Sequence, residues 1–291
     1  MDQPEGPVMT TTRNTGWTIV VTGLLTVVAL YFLVPVYWVV IASTKSSGDL
    51  FTTPGFWFGR TMELFTNVAQ VFTASDGIYL RWLLNSVIYA GGGALVATYL
   101  AAAGGYALAK YDFPGRNLVF GTVLGGVLVP STATALPLFL LFSKLGLANT
   151  YWGVLLPAMV SPFGLYLCRI YAQATVDDSV LESGRLDGAG ELRIFHTLVL
   201  RSMAPALVTV FLFQLVGIWN NFLLPLIMLA DDKLYPITLG LNAWRSQVDR
   251  SPQFYELTIG GLLVSVIPLG IAMIFLQRYW RGGLTDGSVK G

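Results

Sequence analysis

The sequence has few charged residues for its length. Of its 291 residues only 11% are Asp, Glu, Lys or Arg, whereas 54% are hydrophobic, and the mean hydropathy is +0.65. A soluble domain of this size needs more charge to cover its surface. The composition therefore argues against an ordinary soluble protein and favours one that is embedded in a lipid bilayer.

Several functional groups are scarce or missing as well. The single cysteine, Cys168, excludes an internal disulfide and is interpreted as a small buried hydrophobe. The single histidine, His196, has no neighbouring metal ligand. The net charge of +1 argues against a nucleic-acid partner. None of the lysines follows a glycine, so the G-x-x-x-x-G-K-[ST] phosphate loop is absent and another chain must bind ATP if transport is uphill.

Long apolar stretches are what the sequence does contain. A helix needs about 20 apolar residues to cross ~30 Å of hydrocarbon. Such stretches cover residues 17–44, 83–109, 118–143, 151–173, 202–230 and 257–277. They are continuous rather than alternating, which is typical of helices and not of barrel strands. We therefore predict an all-α membrane protein with six transmembrane helices, whose first helix is too long for a cleaved signal peptide.

The distribution of Lys and Arg predicts the orientation of the chain. Basic residues in the connections favour cytoplasmic N- and C-termini. The predicted division is a cytoplasmic tail 1–16, a first transmembrane helix 17–44, an outer loop 45–82, a core 83–277 that includes an inner loop 174–201, and a cytoplasmic tail 278–291. A second outer loop, 231–256, is our choice for contact with an extracytoplasmic partner, although both outer loops could simply pack on the helix ends.

The central parts of the six stretches contain no ionisable residue. Because such residues in a bilayer usually mark proton or ion pathways, their absence argues against a proton-coupled carrier, an intramembrane protease and a metal enzyme. An uncharged channel remains an alternative. Gly121 and Gly125 form a small-xxx-small pair, which predicts close packing of two helices.

Amide side chains lie within the fifth apolar stretch. Burying an unpaired amide in lipid costs several kcal/mol, so these groups should face the bundle interior or a water-filled path. Gln214 and Asn221 are seven residues apart and share a helix face. Amides beside an aromatic ring suit a sugar, but they could equally lock helix contacts or cap a kink before Pro225. The candidate translocation-path or substrate residues are Gln214, Trp219, Asn220 and Asn221.

The inner loop reads ATVDDSVLESGRLDGAGELRIFHTLVLR over residues 174–201. Ser179 and Glu182 are spaced as a capping box, which predicts that a short helix starts there. Gly188 and Gly190 bracket a predicted tight turn. An amphipathic helix pair of this kind suits a partner protein or the membrane surface. Apolar positions that can line one side of the pair are Val180, Leu181, Leu186, Ala189, Leu192 and Phe195.

Within this loop, residues 182–189 (ESGRLDGA) followed by 198–200 (LVL) resemble the EAA loop of ABC-importer permeases, E-A-A-x3-G-x9-I-x-L-P. The E-x-x-x-x-D-G-A core is intact. Ser183 and Gly184 replace the two alanines and keep the positions small. Arg201 replaces the final proline, a departure that bears on the exit of the second helix.

Other segments resemble sugar permeases over nearly the whole chain. They are Leu50-Phe51 with Pro54, 81–86 (RWLLNS), 111–115 (YDFPG), 145–150 (LGLANT), 219–222 (WNNF) and the tail 283–291. Together the motifs are similar to those of the second permease subunit of a binding-protein-dependent carbohydrate ABC importer, of the maltose-permease type.

This resemblance implies a type I importer fold in the bacterial plasma (inner) membrane. It implies a heterodimer with a second permease, two copies of a P-loop ATPase, an extracytoplasmic solute-binding protein and a disaccharide or oligosaccharide substrate. The chain would be a transport subunit and not an enzyme, with no cofactor of its own, since ATP and Mg would bind the ATPase subunits. A non-sugar solute such as glycerol phosphate is the alternative. By resemblance, the ATPase-coupling residues are Glu182, Asp187, Gly188 and Ala189.

Overall fold

The computed structural model describes residues 15–285, and the side chains of residues 16–277. Every secondary-structure element in the described range is a helix, so the predicted all-α fold is confirmed. The predicted tails, with Arg13, Arg278, Arg281, Lys290 and the family-like segment 283–291, lie outside the residues whose side chains are described.

The first half of the chain forms eight α-helices. They are α1 (Thr15–Ser43), α2 (Ser47–Thr52), α3 (Leu64–Thr73), α4 (Ile78–Val87), α5 (Gly93–Lys110), α6 (Arg116–Val127), α7 (Ser131–Lys144) and α8 (Tyr151–Ala158). A 3-10 segment, Ala74–Gly77, precedes α4, and a π segment, Ile88–Gly92, follows it.

The second half contains eight further α-helices. They are α9 (Pro162–Thr175), α10 (Asp178–Leu186), α11 (Glu191–Ile194), α12 (Leu200–Ser202), α13 (Ala204–Trp219), α14 (Leu223–Met228), α15 (Ile237–Arg245) and α16 (Gln253–Thr285). A π segment, Phe195–Val199, joins α11 to α12. The chain divides into two compact units, residues 1–64 and 65–291.

In the first unit, α1 forms the predicted first apolar stretch, and the residues after it fold around buried polar groups. The Ser46 side chain caps α2 by accepting a hydrogen bond from the Asp49 backbone N–H at 3.2 Å. The buried Lys45 ammonium donates to the Pro54 carbonyl at 2.7 Å, and the Asp49 carboxylate accepts from the Arg60 N–H at 2.8 Å. Because these buried charges are hydrogen-bonded, the connection after α1 has a defined conformation.

Four helical stretches in the described range are long and apolar enough to cross a membrane, and two bent pairs raise the number to as many as six. The four are Gly16–Ser43, Leu64–Lys110, Tyr151–Thr175 and Gln253–Gln277. In the first bent pair, the axes of α6 and α7 meet at 104°. Pro130 lies at the bend, directly before Ser131, and it has no N–H to continue a helix. The count of six spans and the cytoplasmic location of both termini stay predictions.

The second apolar stretch belongs to a longer helical region than predicted. The sequence predicts that this stretch starts at residue 83, but helical structure extends back to Leu64. Ser75 and Asp76 have positive φ angles of 50° and 56°, which kink the region before α4. The residues before 83 include many polar side chains, so a search for continuous hydrophobicity does not detect them.

In the second unit, α5 and α9 approach each other closely. A Cβ atom on Gly105 would lie 2.6 Å from the Cβ of Cys168 and 2.7 Å from the backbone N of Arg169. Cys168 is fully buried there, which confirms its interpretation as a small core residue. The close packing predicted at Gly121 and Gly125 is wrong for the described chain, since a Cβ on either would have no atom within 4 Å.

Candidate functional site

The inner loop folds into two helical pieces joined by a tight turn. After α10 ends, Gly188 has a φ of +76°, a conformation that glycine adopts with least strain. The Gly188 N–H donates to the Arg185 carbonyl and the Ala189 N–H to the Gly184 carbonyl, both at 3.0 Å. This pattern is typical of a helix C-terminus closed by glycine, and the turn predicted at Gly188 is confirmed.

The predicted start of the first helical piece is wrong by two residues. The N-cap residue of α10 is Asp177, not Ser179. Ser179 lies in the first turn, where its carbonyl accepts a hydrogen bond from the Ser183 hydroxyl at 2.8 Å. The sequence offers acidic and hydroxyl residues at several adjacent positions, all of which are good N-caps, so composition alone does not choose among them.

Small residues in this loop allow the two pieces to pack. A Cβ atom on Gly184 would lie 3.3 Å from side-chain atoms of both Ile194 and Leu198. This separation is close to the lower limit for a methyl group. The expectation that residues 183 and 184 need to be small is therefore confirmed at Gly184.

The six apolar positions predicted to line one side of the loop divide between two environments. Leu181 and Phe195 are buried, together with Ile194 and Val199, which the sequence pattern did not single out. Ala189 is half-buried against the same cluster. The prediction is wrong for Val180, Leu186 and Leu192, which are exposed, the last two by 88% and 76%. The turn breaks the helical periodicity, so positions on either side of it do not share a face.

The predicted coupling residues surround the exposed tip of this loop. Glu182, Asp187 and Gly188 are exposed, as are Leu186 and Leu192. Neither carboxylate forms an ion pair among the side chains that the structure describes. The tip thus presents apolar groups next to two acidic groups, a combination that suits a protein partner with an apolar recess and basic side chains.

Glu191 connects this tip to the end of α5. Its carboxylate accepts hydrogen bonds from Arg185 Nε at 2.7 Å and Nη2 at 3.4 Å. The Tyr111 hydroxyl donates to the same carboxylate. Burial, and then the hydrogen bond to Glu191, raise the pKa of Tyr111 above its usual range. Tyr111 belongs to the YDFPG motif, but the sequence pattern assigns its side chain no role.

A second ion pair links the same two regions. Lys110, the last residue of α5, lies 2.8 Å from the Asp178 carboxylate in the first turn of α10. Only 11% of the Lys110 side chain is exposed. The sequence pattern does not predict this pair, since residues 68 positions apart carry no periodic signal of contact.

His196 lies on the π segment of the inner loop, and both of its ring nitrogens have partners within the chain. Nδ1 lies 2.7 Å from the Leu192 carbonyl, and Nε2 lies 3.2 Å from the Tyr99 hydroxyl. Because a carbonyl oxygen can only accept, Nδ1 donates to the Leu192 carbonyl, while Nε2 shares a hydrogen bond with the Tyr99 hydroxyl. His196 therefore fastens the loop to α5.

A cavity of about 300 Å³, lined by both apolar and polar side chains, lies where three helical stretches are interrupted. The interruptions separate α6 from α7, α8 from α9, and α13 from α14. Interrupted helices leave backbone groups unpaired, and these can face a cavity rather than lipid. The cavity lining includes the polar residues Ser131, Thr134, Gln214 and Asn221, and also Val160.

Two of the four predicted substrate residues meet in this cavity. Gln214 and Asn221 both line it, as their seven-residue spacing predicts. Gln214 Nε2 is 3.5 Å from the Val160 carbonyl, the outer limit of a hydrogen bond. Asn221 Oδ1 accepts from the Leu224 N–H at 3.3 Å. Asn221 therefore also caps α14, which was the alternative interpretation.

The other two predicted substrate residues lie elsewhere. Trp219 is buried in a separate cluster with Tyr79, Trp82 and Trp244. Asn220 is exposed, and its Nδ2 donates to the Val216 carbonyl of its own helix at 2.9 Å. The predicted role of both residues in the substrate path stays a prediction: Trp219 lines a different, apolar cavity with Leu215 and Pro268, and neither residue is in the lining of the cavity that holds Gln214 and Asn221.

Residues 228–237, at the start of the second predicted outer loop, are held by side chains from two other segments. Asn149 Oδ1 accepts from the N–H groups of Ala230 and Asp231, both at 2.9 Å. Trp82 Nε1 donates to the Asp232 carbonyl at 2.8 Å, and Asn85 Nδ2 donates to the Lys233 carbonyl at 2.9 Å. The RWLLNS and LGLANT motifs therefore both hold the start of the second predicted outer loop, a role that the sequence pattern does not indicate.

Most of the second unit matches a known protein family. Residues 93–281 match the family described as "Binding-protein-dependent transport system inner membrane component". The matched region contains both the cavity and the inner loop.

Individual relatives match almost the whole chain. It is 33% identical to the arabinooligosaccharides transport system permease protein AraQ of Bacillus subtilis (strain 168), covering 90% of this chain and 92% of that protein. It is 30% identical to the diacetylchitobiose uptake system permease protein NgcG of Streptomyces coelicolor, covering 92% and 87%.

Among solved structures, a bacterial ABC transporter involved in the import of the acidic polysaccharide alginate contains a chain with the same fold. The TM-score is 0.78 at 21% sequence identity, covering 94% of this chain and 100% of that chain. At this identity the likeness supports the fold.

Proposed function

This chain belongs to the family of binding-protein-dependent transport system inner membrane components, and we propose that it is a permease subunit of an ATP-driven importer for a disaccharide or oligosaccharide. The family match covers residues 93–281, and two relatives that match about nine-tenths of the chain are permeases for arabinooligosaccharides and for diacetylchitobiose. The chain is a multi-pass protein of the bacterial plasma membrane. Its contribution is a path for the solute, while the ATPase activity resides on other subunits.

The exposed turn at Gly188 is the observation that carries the proposal for coupling. It presents Glu182 and Asp187 beside the exposed Leu186, at the tip of a loop whose base is packed and hydrogen-bonded to α5. A protein partner is the natural cover for such apolar side chains. We propose that this partner is a P-loop ATPase subunit, present in two copies, and that ATP-driven closure moves the loop. Mg and ATP bind that partner.

The remaining partners follow from the family. A second permease would complete the translocation path, and a solute-binding protein would deliver the sugar from outside. The exposed apolar side chains of α6 and α7, such as Leu118 and Leu136, are available to this second permease or to lipid. Residues 231–256 remain our choice for contact with the binding protein.

For the solute path we propose the cavity at the three helix interruptions. Gln214 and Asn221 offer amides, and Ser131 and Thr134 offer hydroxyls, to a ligand rich in hydroxyl groups. The cavity residues are uncharged, which suits a neutral sugar better than glycerol phosphate, since a buried phosphate needs a cationic partner. An uncharged channel is disfavoured because it would not need the coupling loop.

Co-purification from the native host tests this proposal. Wild-type chain should retain a P-loop ATPase and a second permease. We expect Glu182→Lys and Gly188→Arg to lose the ATPase, because the first reverses a charge at the tip and the second strains a residue with positive φ. Asp249→Lys, an exposed charge reversal after α15, is the matched control and should retain it. If the chain came out alone, or if both tip variants kept the ATPase, the proposal would be wrong.

A further inference from the structure

The end of α5 holds the inner loop at two separate points. Lys110 pairs with Asp178 in the first turn of α10, and the next residue, Tyr111, donates a hydrogen bond to Glu191 beyond the glycine turn. Arg185, in the last turn of α10, shares the Glu191 carboxylate. We call these five residues the strap.

The strap is anchored firmly on the side of α5. The Tyr111 N–H donates to the Ala107 carbonyl at 3.1 Å, which closes the last turn of that helix. The Tyr111 ring packs edge-on against Tyr106, with ring centroids 5.5 Å apart. Tyr106 is buried and stacks on Phe195 of the inner loop at 5.8 Å. A displacement of the loop therefore acts directly on the end of α5.

From α5 the path continues into the bundle. At Gly105, α5 lies in backbone contact with α9, and packed backbones at this distance do not slide without a change in helix separation. The exposed tip at Glu182, Asp187 and Gly188 lies on the other side of the strap. The strap thus connects the surface proposed to meet the partner with the helices of the bundle, alongside the contact of His196 with Tyr99 on α5.

We infer that Glu191 is a positioning residue which, with Tyr111, Arg185 and the Lys110–Asp178 pair, makes α5 move together with the inner loop. This inference rests on the proposed function, because it assigns the strap to the transmission of ATPase motion. The tip residues bind the partner, whereas Glu191 transmits the displacement. Its loss should leave the partner bound and uncouple α5 from it.

Distance measurement by electron paramagnetic resonance in the intact complex tests this inference. One spin label is placed on α5 at Leu95→Cys and another in the first turn of α10 at Ser179→Cys, both exposed positions. Cys168 is buried and does not compete for the label. The distance is recorded without nucleotide and after trapping with MgADP and vanadate. Strap variants are Glu191→Gln and the milder Tyr111→Phe, which removes a single hydroxyl.

In the wild type we expect one distance between the two labels, and it should be the same without nucleotide and after trapping. In the strap variants the ATPase should still co-purify, but trapping should shift or broaden the distance. Asp112→Ala is the matched control, because among the side chains that the structure describes Asp112 pairs with Arg116, four residues on in the same segment, and not with the loop. This control should behave as the wild type does.

Two outcomes would overturn the inference. A wild-type distance that changes on trapping would mean that α5 does not follow the loop. Strap variants that keep the wild-type distance in both states would mean that Glu191 transmits nothing. A wild-type chain that retains no ATPase would instead overturn the proposed function, so the two failures are told apart by the co-purification step.

Discussion

At the scale of single residues, glycines serve different purposes that their identity alone does not reveal. Gly188 is required for a positive φ in the turn, whereas Gly184 and Gly105 leave room for neighbouring atoms. Gly121 has free space around it in the described chain. Substitution by alanine should therefore have effects of very different size at these positions.

Gly105→Ala should destabilise the chain by roughly 1–3 kcal/mol, because its Cβ would overlap the backbone of α9. Gly121→Ala is the matched control, with a change within about 0.5 kcal/mol. Thermal unfolding of the two variants in the same detergent measures the difference. Equal melting temperatures would contradict the close approach of α5 and α9.

Tyr111 provides a test by pH. Burial and the hydrogen bond to Glu191 raise its pKa, so the neutral hydroxyl is favoured in the folded state. The contribution of Tyr111 to stability should be fully present below about pH 10, the usual pKa of a tyrosine, and should be lost as pH rises through the raised pKa.

The absorbance at 295 nm of wild type minus Tyr111→Phe isolates the titration of this residue. We expect a midpoint well above that of a free tyrosine. Glu191→Gln should lower the midpoint only in part, because burial is the larger cause. A Tyr111 midpoint near about 10 would show that the hydroxyl is not engaged.

At the scale of elements, interruptions in helices matter as much as the helices. Three interruptions converge on one cavity, and the connections after α7 and α14 are fastened together. Asn149 has a φ of 56° and accepts two backbone hydrogen bonds from residues 230 and 231. The side chain thus fixes the start of the second predicted outer loop.

Asn149→Ala should release that segment. Losing this acceptor should lower the free energy of local opening by about 1 kcal/mol, which speeds amide exchange at residues 230 and 231 by about fivefold. Asn149→Asp keeps an acceptor and tolerates a positive φ, so it should exchange as the wild type does. Hydrogen–deuterium exchange with mass spectrometry makes the comparison. Unchanged exchange in Asn149→Ala would show that other contacts, such as that of Trp82, suffice.

At the scale of the whole molecule, the proposed solute cavity and the proposed coupling surface are separate regions joined by α5, α9 and α13. Sugar uptake by cells that contain the complete transporter needs both regions, so the choice of solute, rather than the rate of uptake, reports on the cavity. Uptake of labelled arabinotriose and diacetylchitobiose, with labelled glycerol 3-phosphate as the comparison solute, distinguishes the substrate classes. We expect uptake of a sugar and none of the phosphate.

Gln214→Leu should raise the KM for the imported sugar about twofold to tenfold, as expected for the loss of one neutral hydrogen bond. Gln214 is chosen because its hydrogen bond to the Val160 carbonyl is long, at 3.5 Å, so the loss of this bond should leave the fold intact. Gln173→Leu, exposed in the last turn of α9 and outside the cavity lining, is the control. An unchanged KM in Gln214→Leu would remove this cavity from the sugar path.

The sequence by itself determined the features that depend on local chemistry. Continuous apolar stretches predict membrane helices because lipid leaves no other partner for the backbone. The turn at Gly188 follows from a residue that tolerates positive φ, and the shared face of Gln214 and Asn221 follows from helical periodicity. These predictions hold because each rests on residues close together in the chain.

Tertiary structure alone decided which distant residues meet. Tyr111 and Glu191 are 80 residues apart, and no pattern within either segment indicates their contact. Close packing occurs at Gly105 rather than Gly121 because the arrangement of α9 selects the position. Trp219 ends α13 and Asn221 lies in the break after it, and the two side chains reach different surroundings, one the core and the other the cavity. Periodicity gives relative directions within one helix, but only packing between helices decides what each direction faces.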